Sequence, residues 1–334
     1  MKAAVFRGAG KPFAIETVDD PTPGPAEVVI KVHRCGICGT DLHMTSGHGW
    51  DFAVGAVLGH EYAGEIVALG REVEGLKIGE LITGLPALGC GRCEACAHGN
   101  FGICSNATAM MGGFGEYTRV PGRLAIRAPG GFTAADTAMI EPFAVGLYGV
   151  RMAAIRPGDR VLVLGAGTVS LTTIFWAKRL GAGRVVALSR AARRAQMALK
   201  HGADAYVQAG PDEVAEVREA LGGPPDIVFE GAGAVGLLSQ ALNHVRPFGQ
   251  VLSLGFCTDP DALIPALAGV KGVRISFPTG YTVPDFGHVA NVLSRGDFDP
   301  KTMVTSVVSL DDLPATIEAL RGPNTETKVH VSLV

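Results

Sequence analysis

The stretch from residue 160 to residue 255 constrains the fold more than any other part of the chain. Its apolar runs VLVLG, RVVAL, DIVFEG and QVLSLG are separated by segments with helical periodicity, such as TVSLTTIFWAKRL and VGLLSQALNHV. A repeated strand and helix pattern of this kind places the strands parallel, with helices covering both faces of the sheet. The sequence therefore predicts a doubly wound α/β domain in the second half of the chain.

The first part of the chain follows a different pattern. Short alternating or β-branched runs, EVVIKVHR (27–34), GEIVALG (64–70) and EYTRV (116–120), lie between glycine and proline turns. Such runs are typical of antiparallel strands, and we expect a barrel-like β domain. A helix around 310–320 and a closing strand, KVHVSLV, end the chain. We expect one domain over residues 1–145, a second over 146–280, and a return of 281–334 to the first.

Composition favours a small-molecule enzyme. The 29 basic and 32 acidic residues nearly balance and form no run of like charge, so we expect neither a nucleic-acid partner nor an anionic membrane surface. The uncharged segment 161–177 contains glycines and hydroxyl side chains, which indicate a buried strand and helix rather than a membrane span. The apolar stretch at the N-terminus is too short for a signal peptide, and the cysteines show no secreted framework, so a reducing, cytoplasmic location is expected.

Four of the seven cysteines crowd into one segment, CGRCEACAHGNFGIC, as Cys90, Cys93, Cys96 and Cys104. Thiolate sulfur favours tetrahedral Zn²⁺, and gaps of two residues let successive cysteines converge on one ion. Local disulfides or a Cys-x-x-Cys redox pair are the alternative. Four protein ligands would leave no position for substrate, so this lobe, about residues 88–106, predicts a structural zinc site.

A glycine-rich turn opens the second domain. Gly165, Gly167, Thr168 and Val169 follow the strand VLVL and precede a helix, the context in which backbone N–H groups can face a pyrophosphate. Ser170 replaces the third glycine of the dinucleotide-binding pattern, at a position that needs a small residue for packing. An ordinary glycine turn is the alternative, but the strand and helix context favours nucleotide binding.

The end of the next strand indicates the choice of cofactor. NAD-binding domains usually carry an acidic residue there for the ribose 2′-hydroxyl. This chain instead has Ser189 and Arg190, followed by Arg193 and Arg194, and the nearest acidic residue, Asp204, lies too far along. A hydroxyl and guanidinium groups suit a 2′-phosphate, although a solvated basic helix face would look similar. We expect NADP(H) in preference to NAD(H).

The first domain also holds candidates for a catalytic metal site. Cys38 lies in CGICGTDLH, and His60 and Glu61 follow in GHE. Cysteine, histidine and carboxylate are the usual ligands of a catalytic zinc, which keeps one exchangeable position. Each piece alone is unremarkable, but their combination with a nucleotide-binding turn and a cysteine lobe is specific.

The motifs GICGTDLH, GHE, CGRCEACAHGNFGIC, GGFGEYTRVP and VLVLGAGTVS occur in this order over essentially the whole chain. The chain thereby resembles the zinc-dependent medium-chain alcohol dehydrogenases, especially the sorbitol and threonine dehydrogenase-like branch. The resemblance implies a GroES-like β-rich catalytic domain plus a Rossmann domain. It implies a catalytic zinc at Cys38, His60 and Glu61, in which Glu61 binds the ion directly or moves in and out of contact with it. Glu141 from MIEPFAVG binds directly or through water, and a structural zinc is implied at the four clustered cysteines.

By the same resemblance, Thr40 accepts the alcohol proton and passes it through the cofactor ribose to His43. A turn hydroxyl and a surface histidine are the alternative interpretation. Asp41 is placed to support His60, as carboxylates often do for histidines that bind zinc.

The expected reaction is hydride transfer between NADP(H) and an alcohol and its ketone or aldehyde, with secondary alcohols preferred. Trp50 and Phe52 favour an apolar substrate pocket, although packing roles are equally open. A zinc-free quinone or enoyl reductase, an NAD-linked polyol or threonine dehydrogenase, and a nucleotide-binding sensor without catalysis are the alternatives. The family implies a homodimer or homotetramer.

Overall fold

A computed structural model of the chain describes residues 1–47 and 52–334. The strands in chain order are β1 (Lys2–Val5), β2 (Ala14–Thr17), β3 (Glu27–Ile37), β4 (Glu61–Leu69), β5 (Leu81–Gly84), β6 (Ala87–Leu88), β7 (Thr108–Ala109), β8 (Tyr117–Pro121), β9 (Ala125–Arg127), β10 (Arg160–Leu164), β11 (Arg184–Ser189), β12 (Ala205–Gln208), β13 (Ile227–Glu230), β14 (Gln250–Ser253), β15 (Arg274–Ser276), β16 (Val304–Ser309) and β17 (Lys328–Ser332).

The α-helices are α1 (Gly39–Thr45), α2 (Glu94–Ala97), α3 (Ala134–Ala138), α4 (Ile140–Ala153), α5 (Thr168–Arg179), α6 (Ala195–Lys200), α7 (Glu213–Leu221), α8 (Leu237–His244), α9 (Pro265–Lys271), α10 (Val283–Leu293) and α11 (Leu313–Arg321). Short 3₁₀ turns occur at Phe101–Ile103, Gly122–Leu124, Ala192–Arg194 and Pro300–Met303. The chain divides into two compact units, the first formed by Met1–Ala144 and Gly280–Val334 and the second by Val145–Thr279.

The first unit is built on a seven-stranded sheet in the order β16-β17-β3-β4-β5-β9, with β8 also paired to β3. The long strand β3 changes partner along one edge, because β8 pairs with residues 27–31 and β17 with residues 34–37. Bulges in the β3–β4 ladder accompany this change. The expected barrel-like arrangement is therefore a branched sheet whose end strands, β16 and β9, do not pair with each other among the described residues.

The second unit contains a six-stranded parallel sheet in the order β12-β11-β10-β13-β14-β15. This order reverses direction between β10 and β13, as in a doubly wound dinucleotide-binding fold. Strands β10 and β13 are almost entirely buried, which explains why they read as continuous apolar runs. The structure confirms the α/β fold class predicted from the repeat.

Each unit has its own apolar core. In the first, Ile30, Tyr62, Ile66 and Phe114 pack together with side chains of β17 and α11. In the second, the core side chains come from the central strands and from helices α7 and α8. These cores fix the ends of the strands, where the candidate site residues lie.

Candidate metal centres and nucleotide-binding turn

The pairing of β3 with β4 brings the predicted catalytic ligands together. Cys38 follows β3 and immediately precedes α1, while His60 and Glu61 lie at the start of β4. Gly36 is paired with Glu61 in the antiparallel ladder, so the two strand ends meet. The ligand atoms of Cys38, His60 and Glu61 all lie within 4.8 Å of one another.

Gly36 makes room for the carboxylate of this cluster. A Cβ atom at Gly36 would lie 1.9 Å from Oε2 of Glu61 and 3.1 Å from its Cδ. Contacts this short do not occur, so any larger residue would displace the Glu61 side chain. The observed position of the Glu61 carboxylate therefore requires glycine at residue 36.

Asp41 supports both neighbouring ligands from the first turn of α1. It is buried, and its Oδ2 accepts a hydrogen bond of 2.9 Å from the backbone N–H of Cys38. Its Oδ1 lies 3.4 Å from Nδ1 of His60, which has no aligned hydrogen-bond partner in this conformation. Burial lowers the pKa of His60, but Asp41 and Cys38 outweigh burial and raise it well above its ordinary value. The negative surroundings that favour a protonated imidazole would also stabilise a bound cation.

Lys328 makes the principal ionic contact of Glu61. Its ammonium donates to Oε1 of Glu61 at 2.6 Å, to Oε2 at 2.7 Å and to the carbonyl of Ile37 at 3.0 Å. Both side chains are almost completely buried. Burial lowers the pKa of Lys328, whereas the charges of Glu61 and Cys38 raise it, with a net increase, so the lysine stays charged. In this conformation the ammonium therefore contacts both carboxylate oxygens of Glu61.

Glu141 lies near the cluster but outside the group of three close ligand atoms. It belongs to the first turn of α4, is 3% exposed and accepts a hydrogen bond from Tyr281. Burial, with a smaller contribution from Glu61, raises the pKa of Glu141 to about 7, although His60, Tyr281 and Lys328 oppose the increase. A carboxyl group with this pKa can hold or release a proton near neutral pH.

The predicted proton-relay residues share one short helix. Thr40 and His43 are three positions apart in α1, a spacing that places their side chains on one side of the helix. Thr40 Oγ1 lies 3.5 Å from Cys38 Sγ, and His43 is half-buried. A hydroxyl group is thus next to the Cys38 thiol, and the relay itself stays a prediction.

The chemistry of this first cluster fits zinc. One thiol, one imidazole and one carboxylate converge, and three ligands leave room for an exchangeable one. The unpaired Nδ1 of His60 faces Asp41, an arrangement that leaves the other ring nitrogen for a metal. The described residues therefore include a suitable catalytic zinc site.

The second cluster consists of the four clustered cysteines. Cys93 precedes α2, Cys96 lies within it, and Cys104 follows the turn Phe101–Ile103. The four sulfur atoms lie within 4.8 Å of one another, with 3.6 Å between Cys93 and Cys96. A backbone hydrogen bond from Arg92 is the main cause that lowers the pKa of Cys90 to about 6. All seven cysteines are free thiols, so the arrangement fits a tetrahedral ion rather than disulfides.

The glycine-rich turn lies between β10 and α5 in the second unit. Gly165 has a positive φ of 101°, and Gly167 immediately precedes α5, whose first residues are Thr168 and Val169. Ser170 is buried and packs so closely that a Cβ at Gly165 would lie 2.7 Å from its Oγ. Serine is therefore accommodated where the usual pattern has a third glycine.

The basic segment after β11 lies next to this turn. Ser189 ends β11, Arg190 and Arg193 are exposed, and Arg194 donates a hydrogen bond of 3.1 Å to the carbonyl of Ala166 in the turn. Asp204 contacts the opposite end of β11, where it accepts hydrogen bonds from Val185 N–H and Lys178. The end of β11 therefore carries basic residues and a hydroxyl.

A further buried carboxylate, Glu230, lies at the end of β13. It accepts hydrogen bonds from the N–H groups of Ala232 and Gly233 at 2.7 and 2.6 Å and from the Ser253 hydroxyl at 2.8 Å. A cavity of about 230 Å³, lined in part by Glu230, Ser253 and Phe277, opens at this end of the sheet. Glu230 thus organises the loops at the carboxyl ends of β13 and β14.

The aromatic residues proposed for a substrate pocket separate into two cases. Phe52 packs against Phe6 with 6.1 Å between ring centroids and belongs to the periphery of the first core. Trp50 lies outside the described residues. The structure thus favours the packing role for Phe52, and substrate preference has to be argued from other observations.

Sequence reasoning missed Lys328, Tyr281 and Glu230. Lys328 stands at the start of an otherwise largely apolar strand, and Glu230 ends the apolar run DIVFE, so a buried charge in each strand was a usable signal. Tyr281 carried no local signal, because its partner Glu141 lies far away in the sequence.

Comparisons with known proteins identify the family of the chain. The alcohol dehydrogenase GroES-like domain family matches residues 24–130, and the zinc-binding dehydrogenase family matches residues 168–295. Sorbitol dehydrogenase of Bacillus subtilis strain 168 is 31% identical over 99% of this chain and 97% of its own length. Among the described residues, every helix is too short or too polar to cross a membrane.

Solved structures show the same fold over 99% of the chain. They include a protein assigned as a zinc-binding dehydrogenase from Sinorhizobium meliloti 1021, bound to NADP, with 30% identity, 98% of its chain covered and a TM-score of 0.88. They also include 2R,3R-butanediol dehydrogenase from Bacillus subtilis (29%, 99% covered, TM-score 0.87) and an alcohol dehydrogenase from Escherichia coli CFT073 complexed with NADH (27%, 99% covered, TM-score 0.88). The chain belongs to the zinc-dependent medium-chain alcohol dehydrogenase family, with a GroES-like and a Rossmann-type domain.

Proposed function

We propose that this enzyme transfers a hydride between NADP(H) and an alcohol and its carbonyl product, preferring secondary alcohols. The observation that carries this proposal is the convergence of Cys38, His60 and Glu61 within 4.8 Å in a dehydrogenase fold. The two compact units would serve as the catalytic and the cofactor-binding domains.

The proposed catalytic zinc site consists of Cys38, His60 and Glu61, with Glu141 acting directly or through water. A zinc ion held there would act as a Lewis acid on the alcohol hydroxyl, and a bound nicotinamide would accept the hydride. Asp41 would orient the His60 ring. Lys328 would bind the Glu61 carboxylate whenever that carboxylate does not contact the zinc ion. The four-cysteine lobe would hold a second, structural zinc ion.

The proposed path of the alcohol proton runs along helix α1, which contains both Thr40 and His43. Thr40, beside Cys38, would accept the hydroxyl proton while it releases its own, and His43 on the same side of the helix would take up the released proton and pass it to solvent. Oxidation then removes a proton from the hydroxyl and a hydride from the carbon, which leaves a ketone or aldehyde.

The preference for NADP(H) rests on the chain's own residues, since solved relatives carry either nicotinamide cofactor. Gly165, Gly167, Thr168 and Val169 would face the pyrophosphate at the N-terminus of α5. A hydroxyl at Ser189 and guanidinium groups at Arg190 and Arg194, at and after the end of β11, would bind the 2′-phosphate.

The proposal of secondary alcohols as substrates is supported by the substrates in the names of two relatives. The solved butanediol dehydrogenase acts on an alcohol whose hydroxyl groups are both on secondary carbons, and most hydroxyl groups of sorbitol are secondary. A polyol is therefore the nearest alternative within this class.

We further propose a cytoplasmic homodimer or homotetramer. The seven cysteines are free thiols, which are typical of proteins in a reducing compartment. The edge strand β15 is followed by Phe277, which is 63% exposed, and Val270 in α9 is 89% exposed, so the second unit presents apolar side chains beside an edge strand. Burial of this surface between copies would remove both features from water.

A spectrophotometric screen tests the proposed activity. Matched pairs of primary and secondary alcohols, with the corresponding carbonyl compounds, are assayed with NADP(H) and NAD(H). The proposal predicts the highest kcat/KM for a secondary alcohol with NADP⁺. Turnover of quinones or enones alone, by protein without zinc, would instead support a zinc-free reductase.

A further inference from the structure

The segment that follows β11 is tied to the neighbouring strand β12 by side chains. Tyr206 donates its hydroxyl hydrogen to the carbonyl of Ala191 at 2.7 Å and approaches the carbonyl of Ser189 at 3.1 Å. Gln208, two residues later and hence on the same face of the strand, donates to the carbonyl of Arg190 at 3.4 Å. Three consecutive carbonyl groups are thus turned toward β12.

Backbone contacts complete this attachment. The carbonyl of Ser189 also accepts a hydrogen bond of 3.0 Å from the N–H of Ala209, and the carbonyl of Ala191 accepts one of 2.9 Å from the N–H of Arg194. Arg194 in turn reaches Ala166 in the glycine-rich turn. Tyr206 therefore holds the backbone segment between Ser189, at the end of β11, and Arg194, whose guanidinium contacts the glycine-rich turn.

The character of the phenol suits this role. Tyr206 is half-buried, and burial raises the pKa of its hydroxyl, partly offset by its bond to Ser189 and by the charges of Arg194 and Arg193. The hydroxyl therefore remains a donor across the physiological pH range. The guanidinium groups of Arg193 and Arg194 are near enough to lower this pKa. Tyr206 therefore lies beside the basic segment that follows β11.

We propose that Tyr206 is a positioning residue for recognition of the cofactor 2′-phosphate: its hydroxyl fixes the Ser189–Ala191 backbone and thereby presents Ser189 and Arg190 in a preformed arrangement. This inference rests on the proposed NADP(H) preference and adds a residue that need not touch the phosphate itself. Preformed donors bind an anion with a smaller loss of conformational freedom than donors on a mobile segment.

The test compares two nucleotide fragments that differ only in the phosphate. Binding of 2′,5′-ADP and of 5′-AMP to the full-length zinc-loaded protein is measured by titration calorimetry for wild type, Tyr206→Phe and the control Tyr117→Phe in the first unit. Loss of one hydrogen bond behind the segment should weaken 2′,5′-ADP binding about three- to tenfold and 5′-AMP binding less than about twofold. The control should change neither.

The outcomes separate this inference from the proposed cofactor preference. Equal binding of the two fragments by the wild type would overturn the NADP(H) preference, and with it any 2′-phosphate site. A wild-type preference for 2′,5′-ADP that Tyr206→Phe leaves intact, or an equal loss for both fragments, would overturn only the role of Tyr206.

A measurement on the wild type covers the case in which the variant does not fold. Hydrogen exchange of the Arg194 and Ala209 amides, which donate to the carbonyls of Ala191 and Ser189, is followed with and without 2′,5′-ADP. A preformed segment should be protected before the ligand is added and gain little protection afterwards. Fast exchange in the free protein, followed by strong protection on binding, would contradict the inference.

Discussion

The ammonium of Lys328 lies 2.6 and 2.7 Å from the two carboxylate oxygens of Glu61, although the residues are 267 positions apart in the sequence. Both are almost fully buried, with 3% and 1% of their side-chain surface exposed. The last strand of the chain therefore supplies the counter-charge of a proposed zinc ligand. This contact offsets the cost of burying the Glu61 side chain away from water.

Replacement of Lys328 by methionine should leave the Glu61 charge buried without its partner. Removing one member of a buried ion pair typically costs about 3 kcal/mol or more in unfolding free energy. Urea unfolding of Lys328→Met and of the control Lys328→Arg measures this cost. Equal stability of wild type and the methionine variant at neutral pH would show that the pair does not stabilise the fold.

Replacement of Gly36 by alanine should displace the Glu61 carboxylate, because the added Cβ would lie 1.9 Å from Oε2. Strain of this kind typically costs about 1–3 kcal/mol, and we expect a reduced zinc content as well. Gly39→Ala is a matched control, since nothing lies within 4 Å of its added Cβ. The prediction is wrong if the two alanine variants have the same stability and zinc content.

Replacement of Cys93 by serine should open the four-cysteine lobe. We expect about one zinc ion per chain instead of two, together with a lower melting temperature and weaker assembly. The intrinsic chemistry of the molecules that remain folded should change less. Cys257→Ser, at a cysteine outside both clusters, should keep both metals, and metal analysis with thermal unfolding distinguishes the two variants.

Asp226 should make stability depend on pH in the acid range. Burial raises its pKa, but hydrogen bonds from Arg160 and Arg246 outweigh burial and set it at about 2. Because this folded-state pKa is below the ordinary value of 3.8, the contribution is present above about pH 4 and is lost as the pH falls toward 2. Asp226→Asn should thus lose on the order of 1 kcal/mol at pH 7, because solvent screens this partly exposed ion pair, and progressively less below pH 4. Urea unfolding from pH 7 to pH 3 gives the comparison, and a constant difference would contradict it.

The sequence predicted those features whose residues lie close together. The four cysteines are separated by short gaps, so their spacing alone indicated one site, and the strand, glycine turn and helix at Leu164–Thr168 form a local unit. The family pattern brought Cys38 together with His60 and Glu61, and their positions near the paired ends of β3 and β4 give the physical reason.

Other features depend on contacts that no local pattern encodes. The contact of Lys328 with Glu61 requires β17 to pair with β3 and β3 with β4. The bond between Tyr281 and Glu141 likewise joins distant segments. Phe52 could be interpreted as a pocket residue only until its packing against Phe6 was known, because an aromatic side chain suits a core as well as a pocket.

The most direct test of the proposed function is the activity and metal content of Cys38→Ser. With NADP⁺ and the best secondary alcohol, kcat/KM should fall by at least about a hundredfold, since a Lewis-acid metal contributes several kcal/mol to such a reaction. The variant should keep about one zinc ion per chain, in the four-cysteine lobe. Unchanged turnover by protein with one zinc ion per chain would contradict the assignment of the catalytic site to Cys38, His60 and Glu61.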